Sequence, residues 1–288
     1  MILYADSGST KTDWALKISD DKIITWKSGG WNPYYLTSKQ MIEEGNFFIE
    51  NINFDNQNNL DKIKEIQFYG AGCSTFDNKK SVQLALKTLF PQTEKIKVEH
   101  DLLGAARSAY NNEKNTIGIV LILGTGSNAC LYNGKKVTQE LTNLGFWLGD
   151  EGSGGFLGKK LVIDFLYNRL PSQVHYLLEK RYSLDREFVL KKAYQETKPN
   201  EFFASFVPFL YQYKEEEYIR NLISTSFDEF LKRIEDEFGE KSTTLNFNFY
   251  AVGSVAYFFE DILKERINNR KGNLVRIVKS PIEGLVGN

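Results

Sequence analysis

Near the N-terminus the stretch ADSGSTKTDW, from Ala5 to Trp14, brings together a carboxylate, a tight-turn glycine, hydroxyls and a lysine. Gly8, Lys11 and Thr12 stand as in a phosphate-binding loop, although Thr10 replaces the glycine that precedes the lysine there. Backbone N–H groups of Gly8, Ser9, Thr10 and Lys11 could cradle phosphate oxygens, in a nest that needs small residues for close approach. The Thr10 and Thr12 hydroxyls can donate, and Lys11 supplies charge. Asp6 cannot touch phosphate, because like charges repel. Placed beside phosphate it suits a magnesium ion, a hard cation that prefers oxygen ligands. A polar β-turn with solvated ends accounts for the loop equally well. Further on, LGTGSN repeats the theme with Gly124, Thr125 and Gly126. A third feature is Asp101, which is either a base at a strand end or the N-cap of the next helix.

Alternating strands and helices must deliver these groups. Met1 to Ala5, Asp13 to Ile18 and Lys22 to Lys27 read as strands. The opening loop is then the bend of a hairpin. A P-loop runs straight into a helix, whereas here TDWALKI continues as strand. Thr37 to Gln40 has the T-x-x-Q form of a capping box and predicts a helix to about Ile49. Glu65 to Tyr69 is a strand ending at Gly70-Ala71-Gly72, followed by a helix near Lys79 to Leu89. Ile96 to Glu99 is a strand that delivers His100 and Asp101, and the small-residue run Leu102 to Ser108 is a closely packed helix.

A second cycle begins at Thr116 to Leu123, continuously apolar and β-branched, hence a central buried strand. It breaks at Gly124-Thr125-Gly126 and resumes as Asn128 to Tyr132. Ser153 to Phe238 is helical in pattern, with Ile219, Leu222, Ile223, Phe227, Phe230, Leu231 and Ile234 on one stripe. Phe247 to Val252 returns to strand, Gly253-Ser254 opens a helix to about Ile267, and Val275 to Val278 is a last strand.

The chain has 288 residues, enough for two domains, and no Pro- or Ser-rich linker strings them apart. Lys and Arg number 36 against 37 Asp and Glu. That balance creates no whole-molecule field to attract nucleic acid or an anionic membrane. Cys73 and Cys130 form no CxxC pair, which argues against a disulfide framework or a zinc site. MILYADSGST has neither the basic start nor the long apolar core of a signal peptide, and no apolar run approaches membrane-spanning length. The expectation is a soluble, cytoplasmic protein; a homodimer is left open.

Together these motifs resemble the sugar kinase, Hsp70 and actin superfamily of ATPases. ADSGSTKTDW looks like its phosphate 1 motif, LILGTGSNA like phosphate 2, and FYAVGSVA, Phe249 to Ala256, like the adenosine motif. Within that superfamily the order GWNPYY, VEHDLLGAA, GDEGSG and SPIEGL is similar to N-acetylglucosamine kinases and BadF-type ATPases, along essentially the whole chain. The resemblance implies an α/β, two-domain actin-like ATPase fold of the ribonuclease H-like kind, with an interdomain active-site cleft. The domains are expected at 1–115 and 116–288.

It also implies ATP and Mg2+ as cofactors, a small-molecule sugar as partner, and the following roles. Ser9, Thr10, Lys11 and Thr12, with Gly124, Thr125 and Gly126, would hold phosphates. Gly253 and Ser254 would lie against adenine, and Asp6 would hold the metal. Asp101 corresponds to the sugar-kinase catalytic aspartate, which accepts the hydroxyl proton in phosphoryl transfer. Asn32, Asp101 and Asp150 would contact sugar hydroxyls, and Cys73 could line the same pocket. Glu151 either assists or begins the next helix; His100 and His175 read as structural. In N-acetylglucosamine kinases a Gly-Trp-Gly stretch precedes GDEGS, where this chain has Asn143-Leu144-Gly145 and a displaced Trp147. The expected activity is phosphorylation of an amino sugar such as N-acetylglucosamine. The alternatives are a BadF-type ATPase switch, which would need an iron–sulfur cluster shared across a dimer, and a ligand-binding regulator without turnover.

Overall fold

The computed structural model describes residues 1–8, 11–51, 57–110, 117–239 and 247–287. Its contacts form two units, Met1–Ser108 with Ser280–Asn288, and Ala109–Lys279. The division expected at 115/116 therefore falls earlier, at the end of a helix. The segment from Ser280 onward, expected in the second domain, belongs to the first.

The first unit contains β1 (Ile2–Ser7), β2 (Lys11–Ser19), β3 (Lys22–Gly29), β4 (Glu65–Gly70) and β5 (Lys95–His100), arranged β3-β2-β1-β4-β5. β1, β4 and β5 are mutually parallel, while β2 and β3 add antiparallel hairpins. Helices α1 (Ser38–Asn51) and α2 (Phe76–Leu89) connect β3 to β4 and β4 to β5, and α3 (Asp101–Ala109) follows β5. The capping box ahead of α1 is formed, with Gln40 Oε1 accepting from Thr37 N at 2.9 Å and Thr37 Oγ1 from Gln40 N at 3.4 Å.

Period-two alternation sorts the strand side chains between two faces. Leu3, Ala5, Trp14, Leu16, Ile66 and Phe68 share one core with Met41 and Phe48 of α1 and with Val82 and Leu86 of α2. Tyr4, Ala15 and Tyr69 meet Ile282, Leu285 and Val286 of the C-terminal helix Pro281–Gly287 on the other face. That helix crosses α3 at Gly284, where a Cβ would stand 2.3 Å from the Ser108 carbonyl oxygen. Only glycine permits so close a crossing.

The second unit repeats the topology. β6 (Gly118–Leu123), β7 (Ser127–Tyr132), β8 (Val137–Glu140), β9 (Asn248–Val252) and β10 (Asn273–Val278) lie in the order β10-β9-β6-β7-β8. β6, β9 and β10 are parallel, and β7 and β8 are antiparallel additions, so β6 to β10 play the parts of β1, β2, β3, β4 and β5 in turn. β6 is central, as its apolar run predicts. β8, short and half-exposed, carries little sequence signal.

The stripe on helix Glu217–Phe238 is buried, with Ile219, Ile223, Phe227, Phe230, Leu231 and Ile234 in the core and Leu222 packed at its edge. The single helix expected after Gly253 is two, Ser254–Phe258 and Glu260–Asn268, because the chain breaks at the fully buried Phe259. Among the described residues no helix is long and apolar enough to cross a membrane.

Candidate active site

In the first unit the C-terminal ends of three parallel strands align. Asp6, Tyr69 and Glu99 share one row across β1, β4 and β5; Ser7, Gly70 and His100 form the next. Asp101 follows directly as the first residue of α3. Its side chain is 38% exposed, so it is open to a reacting group. Asp101 Oδ1 accepts from Leu102 N at 2.9 Å and stands 3.2 Å from His100 Nδ1, which itself accepts from Leu102 N at 3.2 Å. The carboxylate thus bonds the first peptide N–H of α3 beyond it while remaining accessible.

Asp6 shares this corner. Burial, then the Asp101 charge, then the Asp13 charge push it from an ordinary 3.8 up to about 7, against the pull of Lys11. A carboxylate raised by burial and by neighbouring like charges is a favourable partner for a divalent cation. Among the described residues no three His, Cys, Asp or Glu side chains come close enough to cage a metal alone. This donor set fits Mg2+, which is usually bound by one or two carboxylates plus substrate phosphates and water. Lys11, largely exposed, pairs with Asp13 Oδ2 at 2.8 Å. Ser9 and Thr10 lie outside the described residues.

Thr12 is corrected. It alternates with Lys11 and Asp13 and so faces the opposite side of the sheet, fully buried. Its hydroxyl is spent on Ser7 Oγ at 2.8 Å and the Gly29 carbonyl at 2.9 Å, leaving none to offer phosphate. Ser7, which sequence reasoning missed, accepts from Trp31 N at 2.9 Å. The Ser7–Thr12 pair therefore anchors the turn that presents Asn32. Strict alternation from Asp6 onward was the signal that could have found it.

Asn32 is buried, and its Oδ1 accepts from Tyr34 N at 3.0 Å. It lies against Gly72, whose φ is +81° and where a Cβ would stand 2.3 Å from Asn32 Oδ1. The GWN and GAGC turns are thus brought together. Cys73 is corrected too: it is fully buried in the first core, and burial, then the Asp101 charge, raises its thiol to about 12. It backs this corner and exposes no surface to a sugar. Cys130 is also fully buried, in the second unit.

In the second unit Gly124, Thr125, Gly126, Asp150, Gly253 and Ser254 converge. Gly154 N donates to the Gly124 carbonyl at 2.8 Å and Gly155 N to that of Thr125 at 3.0 Å. The N-terminus of helix Gly154–Leu166, capped by Ser153, therefore abuts the turn, and its partial positive charge favours an anion nearby. Gly253 has φ +120°, and a Cβ there would lie 2.3 Å from the Leu123 carbonyl oxygen. The adenosine-like motif thus presses directly on the phosphate-like turn. Asp150 has a positive φ of 60° and is buried, with Oδ1 accepting from Ser127 N at 3.3 Å. Burial raises its carboxyl, and the Ser127 amide, Lys159 and Arg233 counter that rise.

No protein-family model matches the chain. No curated protein matches it either. Solved structures do. A candidate N-acetylglucosamine kinase from Porphyromonas gingivalis is 32% identical, with a TM-score of 0.87, over 99% of this chain and 97% of the other. A second candidate N-acetylglucosamine kinase, from Chromobacterium violaceum, is 17% identical with a TM-score of 0.68, over 99% and 97%. A ROK family glucokinase from Streptomyces griseus, solved with glucose and AMPPNP, shares the fold at 13% identity and a TM-score of 0.55, over 99% and 97%. Paired units of this topology define the two-domain actin-like ATPase fold. Within that class the chain belongs to the N-acetylglucosamine kinase family.

Proposed function

We propose that the protein transfers the γ-phosphoryl group of ATP to a hydroxyl of an amino sugar, with N-acetylglucosamine as the leading acceptor. The observation that carries this reading is Asp101: an accessible carboxylate at the end of β5, beside Asp6, in a chain 32% identical to a candidate N-acetylglucosamine kinase along nearly its whole length. Phosphoryl transfer asks a protein for positioning, charge neutralisation and a proton acceptor.

Asp101 takes the proton of the attacking hydroxyl, a role worth roughly 100- to 10,000-fold in rate. Asn32 and Asp150 orient the sugar through its hydroxyls, Asn32 as donor and acceptor and Asp150 as acceptor. The Gly124–Gly126 turn and Lys11 take phosphate oxygens, Ser9 and Thr10 are proposed to join them, and Gly253 and Ser254 bear on the adenosine. Asp6 holds Mg2+, directly or through water, and the ion when bound neutralises phosphate charge. Thr12 acts through Ser7 and Trp31 and does not touch the nucleotide.

The test is ADP release, coupled to a colour readout, over a panel of sugars and amino sugars. Release that depends on N-acetylglucosamine supports the reading. Equal ATP hydrolysis with and without every sugar refutes it and favours an ATPase switch.

A further inference from the structure

Residues Thr142 to Glu151 leave β8, pass through the single turn Gly145–Leu148 and end on Asp150 and Glu151 before helix Gly154–Leu166. So short a connection, rich in exposed apolar side chains such as Leu144, Trp147 and Leu148, has little core of its own. Phe146 stacks on Phe203 and Trp147 on Tyr194, and two cations tie the segment further. Arg233, on helix Glu217–Phe238, donates through Nη1 to Glu151 and through Nη2 to the Thr142 carbonyl and to Glu237 Oε1. Glu237 Oε2 in turn accepts from Thr142 N at 2.7 Å. One guanidinium therefore ties both ends of the segment to the same helix. Lys159 takes its middle, donating to the Phe146 carbonyl at 3.0 Å and lying 4.6 Å from the centre of the Phe146 ring.

We propose that Arg233 is a positioning residue for the sugar acceptor: by bridging Thr142 and Glu151 it closes this segment into an arch and fixes Asp150 in its left-handed backbone conformation. The inference rests on the reading of Asp150 as an acceptor contact. Three features favour it over ordinary surface pairing. The Glu151 and Arg233 side chains are only 18% and 23% exposed, so their charges are poorly screened. Asp150 is not glycine, and a φ of 60° costs it energy that neighbouring structure must supply. A planar guanidinium reaches a carbonyl and two carboxylates from two separate nitrogens in a fixed fork, whereas an ammonium must serve them from a single point.

The test uses the full chain with Arg233→Met, Arg233→Lys and Glu151→Gln, followed by hydrogen–deuterium exchange and steady-state kinetics. In Arg233→Met, exchange over 142–153 should accelerate while β6 and β9 keep their protection. The KM for N-acetylglucosamine should rise on the order of ten- to a hundredfold, as misplacement of a binding group does. The KM for ATP should stay within about twofold. Arg233→Lys should recover part of the loss, and Glu151→Gln should reproduce it from the other end of the pair. Unchanged exchange over 142–153 overturns the arch whatever the kinetics show. An equal rise in both KM values overturns its link to the acceptor. A wild-type protein that phosphorylates no sugar counts against the proposed function, and the exchange data then still decide the arch.

Discussion

Replacing Asp6 with Asn separates the charge of this carboxylate from its shape. With no cation bound, burial, then Asp101, then Asp13 hold it near 7 against an ordinary 3.8. An acid raised on folding binds its proton more tightly in the native chain than in the unfolded one. Its contribution to stability is therefore complete below about pH 4 and is lost as the pH climbs through about 7. The gap between those values corresponds to about 4 kcal/mol, at about 1.4 kcal/mol per pH unit. Water reaching the half-buried side chain screens part of this, leaving about 1–3 kcal/mol.

Asp6→Asn does not titrate. The wild type should lose about 1–3 kcal/mol relative to the variant between about pH 3.5 and pH 8.5 without metal. Urea unfolding followed by tryptophan emission is the assay. Trp14, Trp26 and Trp31 lie in the first unit and Trp147 in the second, so the signal reports chiefly on the unit that holds Asp6. Mg-ATP at the higher pH should then stabilise the wild type more than the variant, since a ligand favours the state that binds it better. A wild type that loses nothing relative to Asp6→Asn over this range refutes the charge reasoning and the cation role built on it.

Other outcomes follow from the same geometry. Asp101→Asn should lower kcat roughly 100- to 10,000-fold while calorimetry shows ATP affinity within about twofold; a near-normal kcat removes the base assignment. Gly253→Ala, with φ +120° and a Cβ 2.3 Å from the Leu123 carbonyl, should cost the second unit about 1–3 kcal/mol in thermal unfolding and weaken ATP binding. Gly124→Ala is the control, because a Cβ there meets nothing within 4 Å, and it should change stability by less than about 0.5 kcal/mol. Gly284→Ala should lower the tryptophan-detected urea midpoint by the equivalent of about 1–3 kcal/mol, since its Cβ would sit 2.3 Å from the Ser108 carbonyl.

Much of the fold was legible because it is written in local patterns. The capping box at Thr37, the apolar run of β6 and the stripe from Ile219 to Ile234 each act over a few residues, and each appears where its spacing puts it. The bend at Gly8 placed Asp6 near a strand end, and the strand pattern before His100 did the same for Asp101. β8 escaped, being four residues long and half-exposed. Phe259 broke an expected helix because its burial outweighs local helical continuity.

Local pattern by itself determined where most strands and helices lie and where the chain turns at glycine. Tertiary structure decided the rest, because partners far apart in the chain are chosen by packing and register. The turn from β1 to β2 carries both Lys11 and Thr12, but the pleat of the sheet sends only one toward solvent. Cys73 sits in a promising glycine-rich turn, yet the aromatic core beneath it takes its side chain. Arg233, which nothing nearby in the chain distinguishes, becomes a clamp only when its helix packs alongside Thr142 and Glu151. Short-range periodicity specifies a backbone; long-range packing selects which of its side chains meet.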